Sequence, residues 1–296
     1  MRIDRELFRD ISNLKFATPG AATGLRQGER RSPFRGRGVE FADYRPYSPG
    51  DDLRLVDWNI YARLQTVLVR LFHEDRNLSL HVHLDASASM DFGSPNKAEH
   101  GANLTACLAL LGLLRRDSVS VGISGARAPK AVVKGENTKI FTQILDALER
   151  TQPDGVAAPW RRLRAQLTQK PDRLCLISDM LYEDDDVEMM LRTAAGSARF
   201  PVLLHVLSEV ELNPPLDDPM EALDAETGQV MFVKSGRNAQ KLYQQHLRAW
   251  LDKLQTRCRA LNIVYVSAYN TIPTRELLQD TLTRRRVITS LSGGAI

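Results

Sequence analysis

The stretch Leu78-Ser-Leu-His-Val-His-Leu-Asp85-Ala-Ser87-Ala-Ser89-Met90 organises the reading of this chain. Its first half, Leu78–Leu84, is short and apolar, as a strand buried on both faces is. Its second half changes abruptly to one acid and two serines. Four later segments repeat the first half: Ser118–Ser124, Arg173–Ser178, Val202–Leu207 and Ile263–Ser267. Helical stretches lie between them. Ala98–Leu114 is rich in small residues, which lets a helix approach a sheet closely. Thr138–Arg150 sets Ile140, Ile144 and Leu148 on one face. Further helices are predicted near Pro159–Gln169, Asp184–Ala195, Asn238–Leu261 and Thr274–Arg284. This alternation predicts an α/β fold with a doubly wound, mostly parallel sheet. Residues 222–230 interrupt it with a hairpin that turns at Gly228.

Upstream, residues 1–16 space Ile3, Leu7, Phe8, Ile11 and Leu14 as an amphipathic helix would. Pro19–Gly38 is rich in Gly and Arg and reads as loop. From Phe34 to Phe72 there are seven aromatics in 39 residues, against 6% for the whole chain. They interleave with Arg and Asp, which predicts a small unit of aromatic packing and ion pairs. Tyr47-Ser-Pro-Gly-Asp51 is a tight turn, and Val67–Phe72 alternates like a strand. Three regions are therefore expected: an aromatic and charged extension over 1–76, the sheet domain over 77–270, and a helix with a basic tail over 271–296.

The 296 residues carry 40 Lys and Arg against 36 Asp and Glu, a formal charge of +4. That excess does not demand nucleic acid. Residues 1–76 hold 14 basic and 11 acidic side chains and residues 271–296 hold 4 and 2, so the positive charge lies outside the sheet domain. Cys107, Cys175 and Cys258 are far apart, which argues against a disulfide framework and fits a reducing compartment. No run reaches the about 18 apolar residues of a membrane helix. The N-terminus has charges where a signal peptide is apolar. A cytoplasmic chain with no membrane insertion is expected.

The sequence lacks the glycine-rich dinucleotide fingerprint, the phosphate-binding loop and the nucleophile elbow. Ser94-Pro-Asn-Lys97 matches S-x-x-K but lacks the companion K-T-G element. The chemistry concentrates after the first strand. Asp85, Ser87 and Ser89 sit at its carboxyl end, where open α/β sheets bind ligands. One carboxylate and two hydroxyls make an all-oxygen set suited to Mg²⁺, or to Mn²⁺ in its place. A second buried strand ends in Leu176-Ile-Ser178-Asp179, which would bring Asp179 to the same edge.

The D-x-S-x-S loop and the LISD strand resemble the metal-ion-dependent adhesion site of von Willebrand factor type A domains. Arg37-Gly-Val-Glu-Phe41-Ala-Asp43-Tyr44-Arg45-Pro-Tyr47, Pro49-Gly-Asp51-Asp52, Asp57-Trp58 and Tyr61-Ala-Arg63 resemble the signature of the bacterial family catalogued as domain of unknown function 58. The resemblance spans roughly residues 20–270. It implies a type A-like domain and a non-enzymatic role. It implies partnership with a MoxR-type AAA+ ATPase in chaperone-like complex assembly. It implies Asp85, Ser87, Ser89 and Asp179 as metal ligands, with a client protein's carboxylate completing the shell. Tyr47, Asp51, Asp52 and Arg54 are candidates for a partner surface. One departure matters: the Thr usual in a loop before the fourth strand is replaced by Pro153-Asp154-Gly155-Val156-Ala157-Ala158, which predicts weaker metal binding.

Two other readings stand beside this one. His81, His83 and Asp85 share one strand face, as ligands of a metal-dependent hydrolase would, though the His that such a motif needs after the Asp is Ala86. Arg26, Arg30, Arg31, Arg35 and Arg37 with Phe34 could hold single-stranded nucleic acid.

Overall fold

The computed structural model describes residues 1–17, 40–73, 78–125, 132–155, 158–215, 220–225, 228–233 and 236–291. The chain divides into two units, Gly20–Asn77 and Met1–Pro19 with Leu78–Ile296. It begins with a 3₁₀ helix, Arg5–Asn13, then β1 (Leu14–Phe16), β2 (Glu40–Pro46), α1 (Trp58–Leu64) and β3 (Leu68–His73). Next come β4 (Ser79–Asp85), α2 (Lys97–Leu114), β5 (Ser118–Ser124), β6 (Val133–Gly135), α3 (Ile140–Arg150) and α4 (Pro159–Gln166). Then follow β7 (Arg173–Ser178), α5 (Asp184–Ser197), β8 (Phe200–Leu207), α6 (Glu209–Leu212), β9 (Met220–Leu223) and β10 (Val230–Val233). The chain closes through α7 (Arg237–Ala260), β11 (Val264–Tyr269), helical turns Thr274–Glu276, Leu277–Thr281 and Leu282–Arg284, and β12 (Ile288–Ser290).

The larger unit is built on a six-stranded sheet of order β11-β8-β7-β4-β5-β6. Every pair in it is parallel except β5 with β6. The five buried strands read from the sequence are its five parallel strands. The short antiparallel edge strand β6 carries too little apolar pattern to be read. Strand order reverses between β4 and β7: the chain moves outward from β4 to β5 and β6, then returns to β7 on the other side. The crevice of such a sheet opens at that reversal.

Successive strand residues point to opposite faces, so β7 feeds two cores. Cys175 and Ile177 join α2, α3 and the N-terminal segment. Leu174 and Leu176 join α4, α5 and α7. The unit is therefore three layers, helix on sheet on helix. Ile3, Ile11, Leu14 and Phe16 are buried in the first core, and β1 pairs with β12 antiparallel. Residues 1–17, expected within the extension, are thus part of the sheet unit, as are the described residues of 271–291. The amphipathic helix expected over residues 1–16 is a 3₁₀ helix followed by a strand, because Leu14 and Phe16 take β12 as partner. The predicted hairpin is present as β9 and β10. Among the described residues no helix is long and apolar enough to cross a membrane.

In the smaller unit β2 and β3 pair antiparallel. Ser48-Pro49-Gly50-Asp51 is a type II turn: Asp51 N donates to Ser48 O at 3.0 Å, and Gly50 has φ +103°. Asp57 caps α1 by accepting from Asn59 N and Ile60 N. Trp58 and Tyr61 meet edge to face at 6.1 Å, yet they stay 57% and 37% exposed. The aromatic packing expected here is thus an edge-to-face pair at the surface, and no residue of α1 is buried.

The small residues of α2 set its distance from the sheet. A Cβ at Gly112 would lie 2.7 Å from Val119 Cγ2 and 3.1 Å from Leu80 Cδ2. Replacing Gly112 with Val overpacks this seam, and the expected loss is about 1–3 kcal/mol. Urea or thermal unfolding checks it; a Gly112→Val chain as stable as the wild type would contradict the close seat of α2.

Candidate functional site

β4 and β7 end side by side at the reversal point, and their last residues meet. Asp85 Oδ2 accepts from Ser178 Oγ at 2.6 Å, and Asp85 Oδ1 accepts from Ser87 N at 3.0 Å. The Ser87 and Ser89 hydroxyls are 3.1 Å apart. Asp85 and Ser87 are wholly buried, and Ser89 is the most exposed of the three at 8%. The Tyr182 hydroxyl lies beside Asp85 and Ser87 without a well-formed hydrogen bond. Asp85 thus takes its bonds from neutral donors. Burial, and then the nearby Asp179 carboxylate, raise its pKa to about 6. A buried anion of this kind is costly without a cation. A carboxylate beside two converging hydroxyls is a hard-oxygen donor set, and it fits Mg²⁺ or Mn²⁺. Asp85, Ser87 and Ser89 would hold the ion.

Asp179 lies at the same edge but has a different environment. Its Oδ2 accepts from Lys97 Nζ at 2.7 Å, and its Oδ1 accepts from Leu181 N at 3.2 Å. Lys97 Nζ also donates to Glu211 Oε1. The backbone here is strained: Met180 has φ +54°, a left-handed conformation that costs about 1–2 kcal/mol for an L-residue. Ser178 Oγ holds the turn by accepting from Met180 N at 2.9 Å. His205 Nε2 donates to Asp179 O at 2.8 Å, since a carbonyl only accepts. His205 Nδ1 then accepts from Tyr265 Oη at 2.7 Å.

The loop in which a Thr was expected does reach this edge. Asp154 N donates to Ala86 O at 2.9 Å, and Asp154 Oδ1 accepts from Gly155 N at 2.8 Å. The side chain that this loop brings there is a carboxylate. Thr151 does not substitute, because its hydroxyl donates to Ala147 O at 2.7 Å. Val156 and Ala157 lie outside the described residues.

The hydrolase alternative is corrected. Among the described residues no three His, Cys, Asp or Glu side chains gather where they could hold a metal. Ser120 Oγ donates to Leu80 O, so it accepts from His81 Nδ1 at 2.8 Å. Burial lowers His81 to about 4 and holds His83 well below the ordinary imidazole value. Both are neutral rings packed within the sheet unit. The Arg26–Arg37 stretch of the nucleic-acid alternative lies outside the described residues. In the smaller unit Asp51 is spent on Arg45, which grips it at 2.7 and 2.5 Å, and on Ser48 N. Asp52 accepts from Arg54 N, and the Asp52 and Arg54 side chains are exposed, with Tyr47 half-buried. Sequence reading missed Lys97 and Glu211 as members of the site. The only signal was Lys97 itself, in an S-x-x-K match with no companion motif.

The raised pKa of Asp85 has a consequence for stability. Its folded value, about 6, lies above the ordinary 3.8. Between those values the folded chain binds more protons than the unfolded one, so stability falls as pH rises through that window. Asp85→Asn removes the buried charge. The expected result at pH 7.5, without divalent ions, is a gain of about 1 kcal/mol, or about 2–4 °C in Tm. The advantage should vanish near pH 4. A variant less stable than the wild type at pH 7.5 would contradict the burial penalty.

The uncharacterized protein Rv1480 of Mycobacterium tuberculosis and the uncharacterized protein Mb1516 of Mycobacterium bovis are each 34% identical over 91 residues. That match covers 31% of this chain and only 29% of theirs. Among solved structures, the conserved hypothetical protein BatB from Bacteroides thetaiotaomicron aligns with a TM-score of 0.40 at 14% identity, over 70% of this chain and 98% of that one. An aerotolerance-related membrane protein from Bacteroides fragilis aligns with a TM-score of 0.38 at 13% identity, over 70% and 99%. The pattern of one family, described as protein of unknown function DUF58, matches residues 43–251, so that the chain belongs to the DUF58 family.

Proposed function

We propose that the larger unit is a von Willebrand factor A-like protein-interaction module. In this reading it is non-enzymatic: a divalent ion held by Asp85, Ser87 and Ser89 captures a carboxylate of a client protein. The carrying observation is the wholly buried Asp85, which takes bonds from neutral donors beside two converging hydroxyls. A divalent ion supplies the missing positive charge. One carboxylate and two hydroxyls leave that ion undercompensated, so it still attracts an external acid. The flanking loops expose Phe92 and Leu181, 43% and 42% accessible. Apolar residues around a charged centre suit a protein partner. The three thiols are buried and pushed up to about 12, which leaves them inert as nucleophiles at neutral pH.

The family resemblance extends the proposal to a cytoplasmic partnership with a MoxR-type AAA+ ATPase in complex assembly or maturation. The test is thermal melting with Mg²⁺ or Mn²⁺ against chelator, for the wild type and Asp85→Ala. At about 100 times its Kd, the ion is expected to stabilise the wild type by about 2.7 kcal/mol and to leave Asp85→Ala unmoved. Partner capture from cell extract should show the same dependence. A wild type whose melting ignores both ions, or capture that survives Asp85→Ala, would overturn the metal-dependent reading.

A further inference from the structure

Lys97 is wholly buried, a rare state for a lysine. It is the first residue of α2, directly after the N-cap Asn96. The positive end of a helix dipole disfavours a cation at that place, so helix preference does not explain it. Its ammonium instead donates to Asp179 and to Glu211, 82 and 114 residues away in sequence. Glu211 is held for this contact: its Oε2 accepts from Ser208 N at 2.8 Å. Phe92 also lies against the ammonium, 5.8 Å from it. Three segments, α2, the end of β7 and α6, are thus joined through one nitrogen.

The two acids at the sheet edge therefore differ in kind. Asp179 has a cation within the protein. Asp85 takes its bonds from a hydroxyl and a backbone N–H. A divalent ion gains most where no positive charge already stands. We propose that the Lys97 ammonium is a built-in cation that engages Asp179, so that a divalent ion at this edge binds through Asp85, Ser87 and Ser89 and the Asp179 carboxylate is not its ligand. Lys97 then sets metal affinity. It keeps the protein's own negative charge at the ion low, and the ion's attraction for an outside carboxylate correspondingly high. The proposal rests on the metal-dependent reading above, and it removes Asp179 from the ligand set that the resemblance implied.

The experiment is calorimetric titration of the full chain with Mn²⁺ at pH 7.5, with melting curves alongside. Asp85→Asn should lose about 10–100-fold in affinity. Asp179→Asn removes a nearby charge but no ligand, so its loss should be well below that of Asp85→Asn, at most about fivefold. Lys97→Met frees Asp179 and Glu211, and its affinity should rise about 10–100-fold. Its melting temperature should then respond to Mn²⁺ more strongly than the wild type's. A loss in Asp179→Asn as large as in Asp85→Asn overturns the proposal, and so does a folded Lys97→Met that binds no tighter. Should Lys97→Met give no cooperative melt, the Asp179→Asn result decides alone. A wild type that binds no Mn²⁺ sinks the functional reading; the built-in cation then stands if Lys97→Met acquires binding and falls if it does not.

Discussion

The carboxyl edge of the sheet buries charges that do not cancel one another pairwise. Asp85, Asp179 and Glu211 contribute carboxylates, with Asp154 on the loop that reaches Ala86, and Lys97 contributes the ammonium that joins Asp179 to Glu211. Burying an ion pair costs several kcal/mol per ion in desolvation, repaid only by close geometry and further hydrogen bonds. Lys97 meets that condition and Asp85 does not. The imbalance is local: β4 runs between two apolar layers, with Val82 and Leu84 fully buried, so its terminal acid emerges inside protein. The strand that gives the fold its centre also delivers an unpaired charge to the crevice.

That placement depends on close packing elsewhere. α2 must lie near the sheet for Lys97 to reach Asp179. Its seat is set by glycines: a Cβ at Gly101 would stand 2.9 Å from Leu84 Cδ1, one residue before Asp85. The same helix face that fills the first core therefore sets the position of the ammonium. The turn after β7 is strained at Met180 and held by Ser178, which also donates to Asp85. Strain of this kind persists where the surroundings over-determine it, and it clusters at functional sites.

The five parallel strands and their helices were legible because burial on both faces writes near-continuous apolar runs into the sequence. Asp85, Ser87 and Ser89 were legible because they are neighbours on one loop. Bringing Asp179 to the same edge needed only the parallel rule. The edge strand β6 and the pairing of β1 with β12 were not legible, since three-residue strands carry no period. Lys97 and Glu211 were hidden for another reason. Their meaning arises from a contact between residues more than 100 positions apart, and neither residue type is informative alone. The exposure of Trp58 and Tyr61 was not legible, because aromatic density does not say which rings are covered, and α1 is too short to enclose them.

The residues that mark the family most strongly and those that carry the unresolved chemistry are different residues. In the signature block Asp51 and Asp57 are locally satisfied. Asp51 is gripped by Arg45 and closes the turn, and Asp57 caps α1 while accepting from Tyr44 Oη at 3.0 Å. Both are held below the usual carboxylate range, Asp51 first by Arg45 and Asp57 first by the backbone N–H of Ile60. A lowered carboxylate pKa marks an anion already served by its surroundings. Asp85 is shifted the opposite way, chiefly by burial. The sign of the shift separates the two classes: Asp51 and Asp57 stabilise their own turn and helix, while Asp85, in the shorter motif, keeps a burial penalty that its neutral donors do not offset.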